Sequence, residues 1–285
     1  MFSDTHFHFK MMTEERVVDG VEVLTTMAQR DCFFGLDIGT KAGDLEGRRQ
    51  AVEKCIAGLT DSTLADKARS FMYFSAGIWP DVESIKDREN QMNLLRESIT
   101  PDSIIAVGEC GLDHHWNPSG EDGRCEEDFD EQVYRGEREL FEAQIELARE
   151  LKLPVIVHSR DAFGDTLECI NNIGYHNGII HCYSYGIDEA RTFLDLGWYI
   201  ALGGGITYTK KSKLEQMQEL IHFIPSDRLL TETDAPYLAP VPFRGQPNSP
   251  VLVEHVFNYI AQTRGISTDA LNQTVDENIA RLFGI

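Results

Sequence analysis

Four histidines and several carboxylates close short apolar runs in this chain, and those residue types suit metal-assisted hydrolysis. The first run carries Asp4-Thr5-His6-Phe7-His8. Side chains alternate across a strand, so His6 and His8 point to one side, about 7 Å apart along it, and can grip one cation. A later run reads Val107-Gly108-Glu109, followed by Cys110-Gly111-Leu112-Asp113. Two more end in His158 and His181, and another in Glu232-Thr233-Asp234. Imidazole nitrogen mixed with carboxylate oxygen suits Zn, Mn, Fe or Ni, and Mg with fewer histidines. Six ligands (His6, His8, Glu109, His158, His181, Asp234) are too many for one four-coordinate ion that keeps an open position. They suit two divalent ions sharing a carboxylate, with Glu109 as the natural bridge. Asp234 is placed to bind one ion and to orient or deprotonate the attacking water.

The elements that must position these residues form an alternating pattern. Strands are expected over Phe2–Phe9, Cys32–Ile38, Phe71–Ile78, Ile104–Glu109, Pro154–His158, Gly178–Tyr183, Trp198–Leu202 and Leu229–Thr233. Helices are expected over Val17–Arg30, Leu45–Ala57, Ile85–Ile99, Phe129–Lys152, Phe163–Ile173, Asp188–Leu196, Lys213–Ile221 and Pro250–Thr263. Asp269–Ile285 reads as a closing helix pair, with Leu271, Val275, Ile279, Leu282 and Phe283 facing the barrel. Eight strands alternating with helices point to a (β/α)8 TIM barrel, an α/β fold whose active sites lie where strands end. A doubly wound open sheet would carry a Gly-rich first turn; here the first strand ends in His-Phe-His.

Composition sets the outer limits. The 285 residues are 42 % hydrophobic and 26 % charged, with no linker or compositional break, so residues 1–285 are expected to form one domain. No apolar run approaches the ~20 residues of a membrane span, and no basic, apolar leader opens the chain, so a cytoplasmic monomer is expected. The six scattered cysteines read as reduced thiols. The acidic stretch with Glu121, Asp122, Glu126, Glu127, Asp128 and Asp130 reads as a solvated loop and helix start rather than a calcium site. A net charge of −21, from 26 Lys+Arg against 47 Asp+Glu, opposes coating by long polyanions. It still permits a polyanion to reach one local cationic site.

Taken together, these motifs resemble the TatD family of metal-dependent deoxyribonucleases, within the amidohydrolase-like barrels. The resemblance rests on residues 3–8, 108–113, 154–162, 181–184 and 232–238, then Arg244-Gly245 and Asn248-Ser249-Pro250. It implies His6, His8, Glu109, His158, His181 and Asp234 as ligands of Mg, Mn or Zn. It also implies nuclease activity on DNA, typically from a 3′ end. The chain departs from the family pattern where Gly77-Ile78-Trp79-Pro80 puts an indole in place of an imidazole, and where Tyr185 replaces a glycine. Trp79 can stack on a base. Arg160 can fork onto phosphate oxygens, unless it pairs with Asp161 or Glu168. His114 and His115 can line the pocket, with loop histidines as the competing reading for both, and His114 is the substrate-side candidate. Glu232, on the face of Asp234, completes the expected substrate side, with a competing ion pair to Arg228. The alternative is a small-molecule amidohydrolase or lactonase acting on an amide or ester. Many of those bridge their metals with a carbamylated lysine on strand four, where this chain has Glu109. A non-catalytic scaffold barrel is the third reading, and the full ligand set argues against it. No membrane or protein partner is expected.

Overall fold

Every strand of the computed structural model pairs in parallel with its sequence neighbour, in the order β1-β2-β3-β4-β5-β6-β7-β8. The structure describes residues 2–100, 102–115 and 130–285. The strands are β1 Asp4–Phe7, β2 Gly35–Asp37, β3 Met72–Ala76, β4 Ala106–Asp113, β5 Val155–Arg160, β6 Gly178–Ile180, β7 Tyr199–Leu202 and β8 Leu229–Thr231. The ring closes between β8 and β1. Phe7 bridges Ala235, the Asp234 N–H donates to the His6 carbonyl at 2.8 Å, and Thr5 Oγ1 donates to the Thr231 carbonyl at 3.1 Å. This is the expected TIM barrel. It differs from the sequence reading mainly in where elements begin and stop.

The largest such difference is β4. Expected to end at Glu109, it runs on to Asp113. Its register against β5 shifts between Gly108 and Cys110, the mark of a bulge, which re-aims the residue it contains. Glu109 sits in that bulge, inside the strand rather than past its end. Glycines make the arrangement possible. At Gly111, φ is +149° and a Cβ would lie 1.9 Å from the His158 carbonyl oxygen. At Gly108 one would lie 2.7 Å from Ile156. Strand β5 likewise runs past His158 to Arg160.

Helices follow the strands, and their buried faces recur at helical spacing. The helix α7 (Glu131–Leu151) shows this best: Val133, Leu140, Phe141, Ile145 and Ala148 line its buried stripe. It starts at Asp130, whose side chain accepts from the Val133 N–H, and stops at Lys152 in a left-handed conformation. Two polar residues, Glu137 and Gln144, share the stripe; Gln144 bonds both the N–H and the carbonyl of Ile78, at 2.7 and 3.0 Å. The acidic residues at 121–128, and Cys125, lie outside the described residues; the other five cysteines are free thiols.

Two helices were not expected from sequence: α1 (Phe9–Glu14) and α4 (Ser62–Phe71). The buried positions of α4 are Ala65, Ala68 and Phe71, and alanines give a faint hydrophobic signal. The expected helix at 85–99 is two, α5 (Val82–Lys86) and α6 (Arg88–Ser98), which meet at Asp87. The closing segment is one helix, α12 (Thr268–Phe283), rather than a pair; its partner is α11 (Val253–Arg264). Its apolar residues recur with one helical phase and nothing interrupts them until Gly284. Among the described residues no helix is long and apolar enough to cross a membrane.

Candidate metal centre

The six expected ligand residues converge at the C-terminal end of the barrel. His6 lies on β1, and His8 one residue past it, where the chain turns into α1. Glu109 comes from the β4 bulge and His158 from β5. His181 follows β6 directly, and Asp234 follows β8. His6 and His8 do share a side, with ring centroids 5.1 Å apart and nearly perpendicular.

Glu109 organises the cluster through both of its oxygens. Its Oε2 lies 3.3 Å from His6 Nε2 and 3.7 Å from His8 Nε2. Its Oε1 lies 3.0 Å from His158 Nδ1 and 2.9 Å from His181 Nε2. Asp234 Oδ1 joins the first group, 3.6 Å from the Nε2 of both His6 and His8. Two donor sets thus meet at one carboxylate. Donors bound at ~2.1 Å to one cation stand roughly 3.0–3.5 Å apart, close to these separations. His6 adds a second observation: its side chain is fully buried, and neither ring nitrogen has a hydrogen-bond partner. A buried imidazole with two orphan nitrogens is costly unless something other than the protein's own atoms binds it. The donor chemistry and the orphan nitrogens both fit a divalent cation.

The electrostatics of the cluster turn on Glu109. Burial pushes the Glu109 carboxyl up, but His181, His158 and His6 outweigh it and hold the group well below the usual carboxylate range. Asp234 is likewise lowered against burial, chiefly by His8. Burial, helped by the neighbouring His181, lowers His6, so its imidazole stays neutral and able to bind metal. His8, His158 and His181 move the other way because their carboxylate partners overcome burial. Glu109, held as a carboxylate, lies at the centre of the cluster with the four imidazoles around it.

A ring of buried partners aims the donors. The second nitrogen of His8 faces the Ile38 carbonyl at 3.3 Å. Behind it Arg48 clamps Asp37 at 2.6 Å and Asp44 at 2.9 Å, while Asp37 accepts the Phe9 N–H. Asp4 accepts from the N–H groups of His6 and Thr233 and from the Thr233 hydroxyl, tying β1 to the β8 exit. Glu232 is fully buried behind His181, 3.6 Å from its Nδ1, and accepts the Cys182 N–H at 2.5 Å. That position supports His181; its expected rival partner, Arg228, meets Asp227 instead.

Asp113 joins the site although the motif that contains it assigns it no role. Its Oδ2 lies 3.1 Å from His158 Nε2, and its own N–H donates to Glu137 at 2.8 Å. The signal was available: Asp113 keeps the parity of Glu109, and a strand continued past Glu109 puts both on one face. Of the expected substrate-side residues, Trp79 is half-buried with its ring edge-on to His158, 5.7 Å between centroids. Its backbone N–H donates to the Thr40 carbonyl, and Gln144 clasps the preceding residue. Arg160 ends β5, where its charge adds to the lowering of Asp113, led by His158, and offsets a little of the rise that burial gives the Cys182 thiol. Asp161 meets His115 at 2.8 Å, and Glu168 meets Arg138 at 2.5 Å. His114 turns towards the helices, 3.1 Å from Glu137 and 3.7 Å from Asp165.

Over most of its length the chain is similar to known proteins. The TatD-related DNase family matches residues 3–284. A metal-dependent hydrolase of Escherichia coli K12, YcfH, is 33 % identical over 289 aligned residues, spanning 99 % of this chain and 95 % of that relative. The 3′-5′ ssDNA/RNA exonuclease TatD of Pantoea vagans is 33 % identical over 77 % of this chain and 81 % of its own. Among solved structures, the TatD homologue YJJV of Escherichia coli K12 superposes with a TM-score of 0.77 at 26 % identity, over 100 % of this chain and 98 % of that one. A lactonase of Deinococcus radiodurans shares the fold, with a TM-score of 0.59 at 16 % identity, over 99 % of this chain and 95 % of its own.

Proposed function

The chain belongs to the TatD family of metal-dependent hydrolases, and from that premise we propose that it is a two-metal deoxyribonuclease, acting on single-stranded DNA from the 3′ end. The observation that carries the reading is the division of Glu109, one oxygen facing His6 and His8 and the other facing His158 and His181. In this reading His6, His8 and Asp234 would hold one divalent ion and His158 and His181 a second, with Glu109 available to both. Mg, Mn or Zn would serve there. Bound as a pair, such ions lower the pKa of water and stabilise the attacking and leaving oxygens of a phosphodiester displacement.

The residues of the chain supply the rest. Asp234 is only slightly exposed and is held anionic, so it can take a proton from the attacking water. Asp113 and Glu232 keep the rings of His158 and His181 in their working orientation. Trp79 stands over His158, where its indole can stack on the terminal base. Arg160, at the end of β5, can fork onto a phosphate beside the reacting one. Glu137 fixes both Asp113 and His114, so His114 belongs to the support behind the site rather than to its substrate side.

The test is a substrate panel on one preparation. Purified protein is expected to shorten 3′-labelled and 5′-labelled single-stranded DNA with Mg or Mn, with products that show loss from the 3′ end. EDTA should abolish this, and metal analysis should give two ions per chain. Hydrolysis of lactones or amides without any attack on DNA would reject the nuclease reading in favour of a small-molecule hydrolase.

A further inference from the structure

Two loops at the mouth of the barrel break with the charge of the rest of the chain. Residues 203–214 leave β7, and residues 235–253 follow β8 and Asp234; none of the 47 acids falls in either stretch. The first contains Lys210, Lys211 and Lys213, all exposed, and the second contains Arg244, also exposed. Several surface cations elsewhere meet carboxylates, among them Arg30 with Glu254, Arg88 with Glu139, Arg96 with Glu150 and Arg138 with Glu168. Lys210, Lys211, Lys213 and Arg244 meet none among the described residues, and Arg244 lies over the Tyr208 ring, 4.5 Å from its centroid.

The loops form one wall. The Val241 N–H donates to Thr207 Oγ1 at 2.9 Å, and Gly204 approaches Leu238 so closely that a Cβ would lie 2.0 Å from its carbonyl oxygen. The wall starts at the metal centre. The Tyr237 N–H donates to the Asp234 carbonyl at 2.8 Å, and its ring, 41 % exposed, stands edge-on to His8 at 6.5 Å. Tyr208 lies within electrostatic reach of both Asp234 and Arg244. A path therefore leads from the donors past two tyrosines to four cations. In a molecule of net charge −21, such a patch is a local attractor for a polyanion, and its aromatic rings suit unpaired bases.

We propose that the β7 and β8 loops are the strand-binding wall of the enzyme. Lys210, Lys211, Lys213 and Arg244 contact successive phosphates of the single strand leading away from the scissile bond, and Tyr237 offers a ring to a base near it. This rests on the nuclease reading above and adds where the uncleaved strand lies.

The experiment measures KM and kcat on long oligothymidylate and on dithymidylate across a range of salt concentrations. For the wild-type protein, KM should fall with chain length and rise with salt. The triple variant Lys210→Glu, Lys211→Glu, Lys213→Glu is expected to raise KM for the long strand at least about tenfold, with a much smaller change in kcat. The slope of log KM against log salt should drop by about two, at ~0.7 per phosphate contact on single strands. Lys210→Arg, Lys211→Arg, Lys213→Arg should restore both. A charge-reversed variant whose long-strand KM and salt slope match the wild type overturns the wall, as does a wild-type KM that ignores strand length. If the wild-type protein cleaves no oligonucleotide, the nuclease reading fails first and the wall with it.

Discussion

Two arcs of the same barrel mouth are built on opposite plans. The β4–β5 arc is a closed polar network: Glu137 holds the Asp113 N–H, Asp113 holds His158, and His158 meets Glu109. All but His158, which is half-buried, are buried, and every charge has a partner. The β7–β8 arc is the reverse, with four exposed cations and no carboxylate partner among the described residues. Burying an unpaired charge is costly, so a deep network must satisfy itself and becomes rigid in doing so. An exposed lysine costs little unpaired and can wait for its counter-anion. The difference teaches a division of labour, in which one arc fixes reactive groups and the other receives a ligand.

The comparison can be broken most severely at Glu109. Glu109→Gln leaves a neutral amide where both donor sets meet, and should cut turnover at least about a thousandfold, more than the loss of one oxyanion donor. Metal content should fall while the circular dichroism spectrum stays the same. Retained turnover would remove the reason for separating the two arcs.

The rigid arc is sharpened next by Gly111→Ala. The added Cβ meets the His158 carbonyl, in a backbone conformation that L residues rarely adopt. It should cost about 3 kcal/mol or more of stability in urea denaturation. The same substitution at Gly245, where a Cβ would meet nothing, should cost much less, through its φ of +86° alone.

Asp113→Ala should lower kcat and metal affinity by about 10- to 100-fold, as losing the partner of a ligating histidine does. A change in KM alone would move Asp113 to the substrate side. Trp79→Ala should raise KM for DNA roughly tenfold while Trp79→Phe raises it less, since base stacking tolerates a smaller ring. The smallest effect is expected at Arg30, whose ion pair with Glu254 is half-exposed. Arg30→Ala should leave the unfolding midpoint within experimental scatter, because such pairs contribute little.

Particular residues show how much the sequence revealed. Alternation within β1 put His6 and His8 on one side, and apolar runs closed by His158, His181 and Asp234 marked the mouth. The same logic stopped at Glu109 because an apolar run ended there, although β4 continues through Gly111 to Asp113. A strand buried on both faces tolerates glycine and polar residues once its neighbours approach closely, and only the register against β5 exposes the bulge. Helix α4 escaped notice because its buried face is largely alanine. Glu232 shared a face with Asp234 in sequence, yet it lies behind His181 where a substrate has no room.

By itself the sequence determined the barrel, the residue types that close its strands and the acidic character of the chain. These depend on local periodicity and residue chemistry, which are written one position at a time. The tertiary structure alone decided that Glu109 divides its two oxygens between histidine pairs, that Asp113 backs His158, and that two acid-free loops form one wall. Those facts depend on strand register and loop contact between residues dozens to hundreds of positions apart, which only the closed sheet brings within reach.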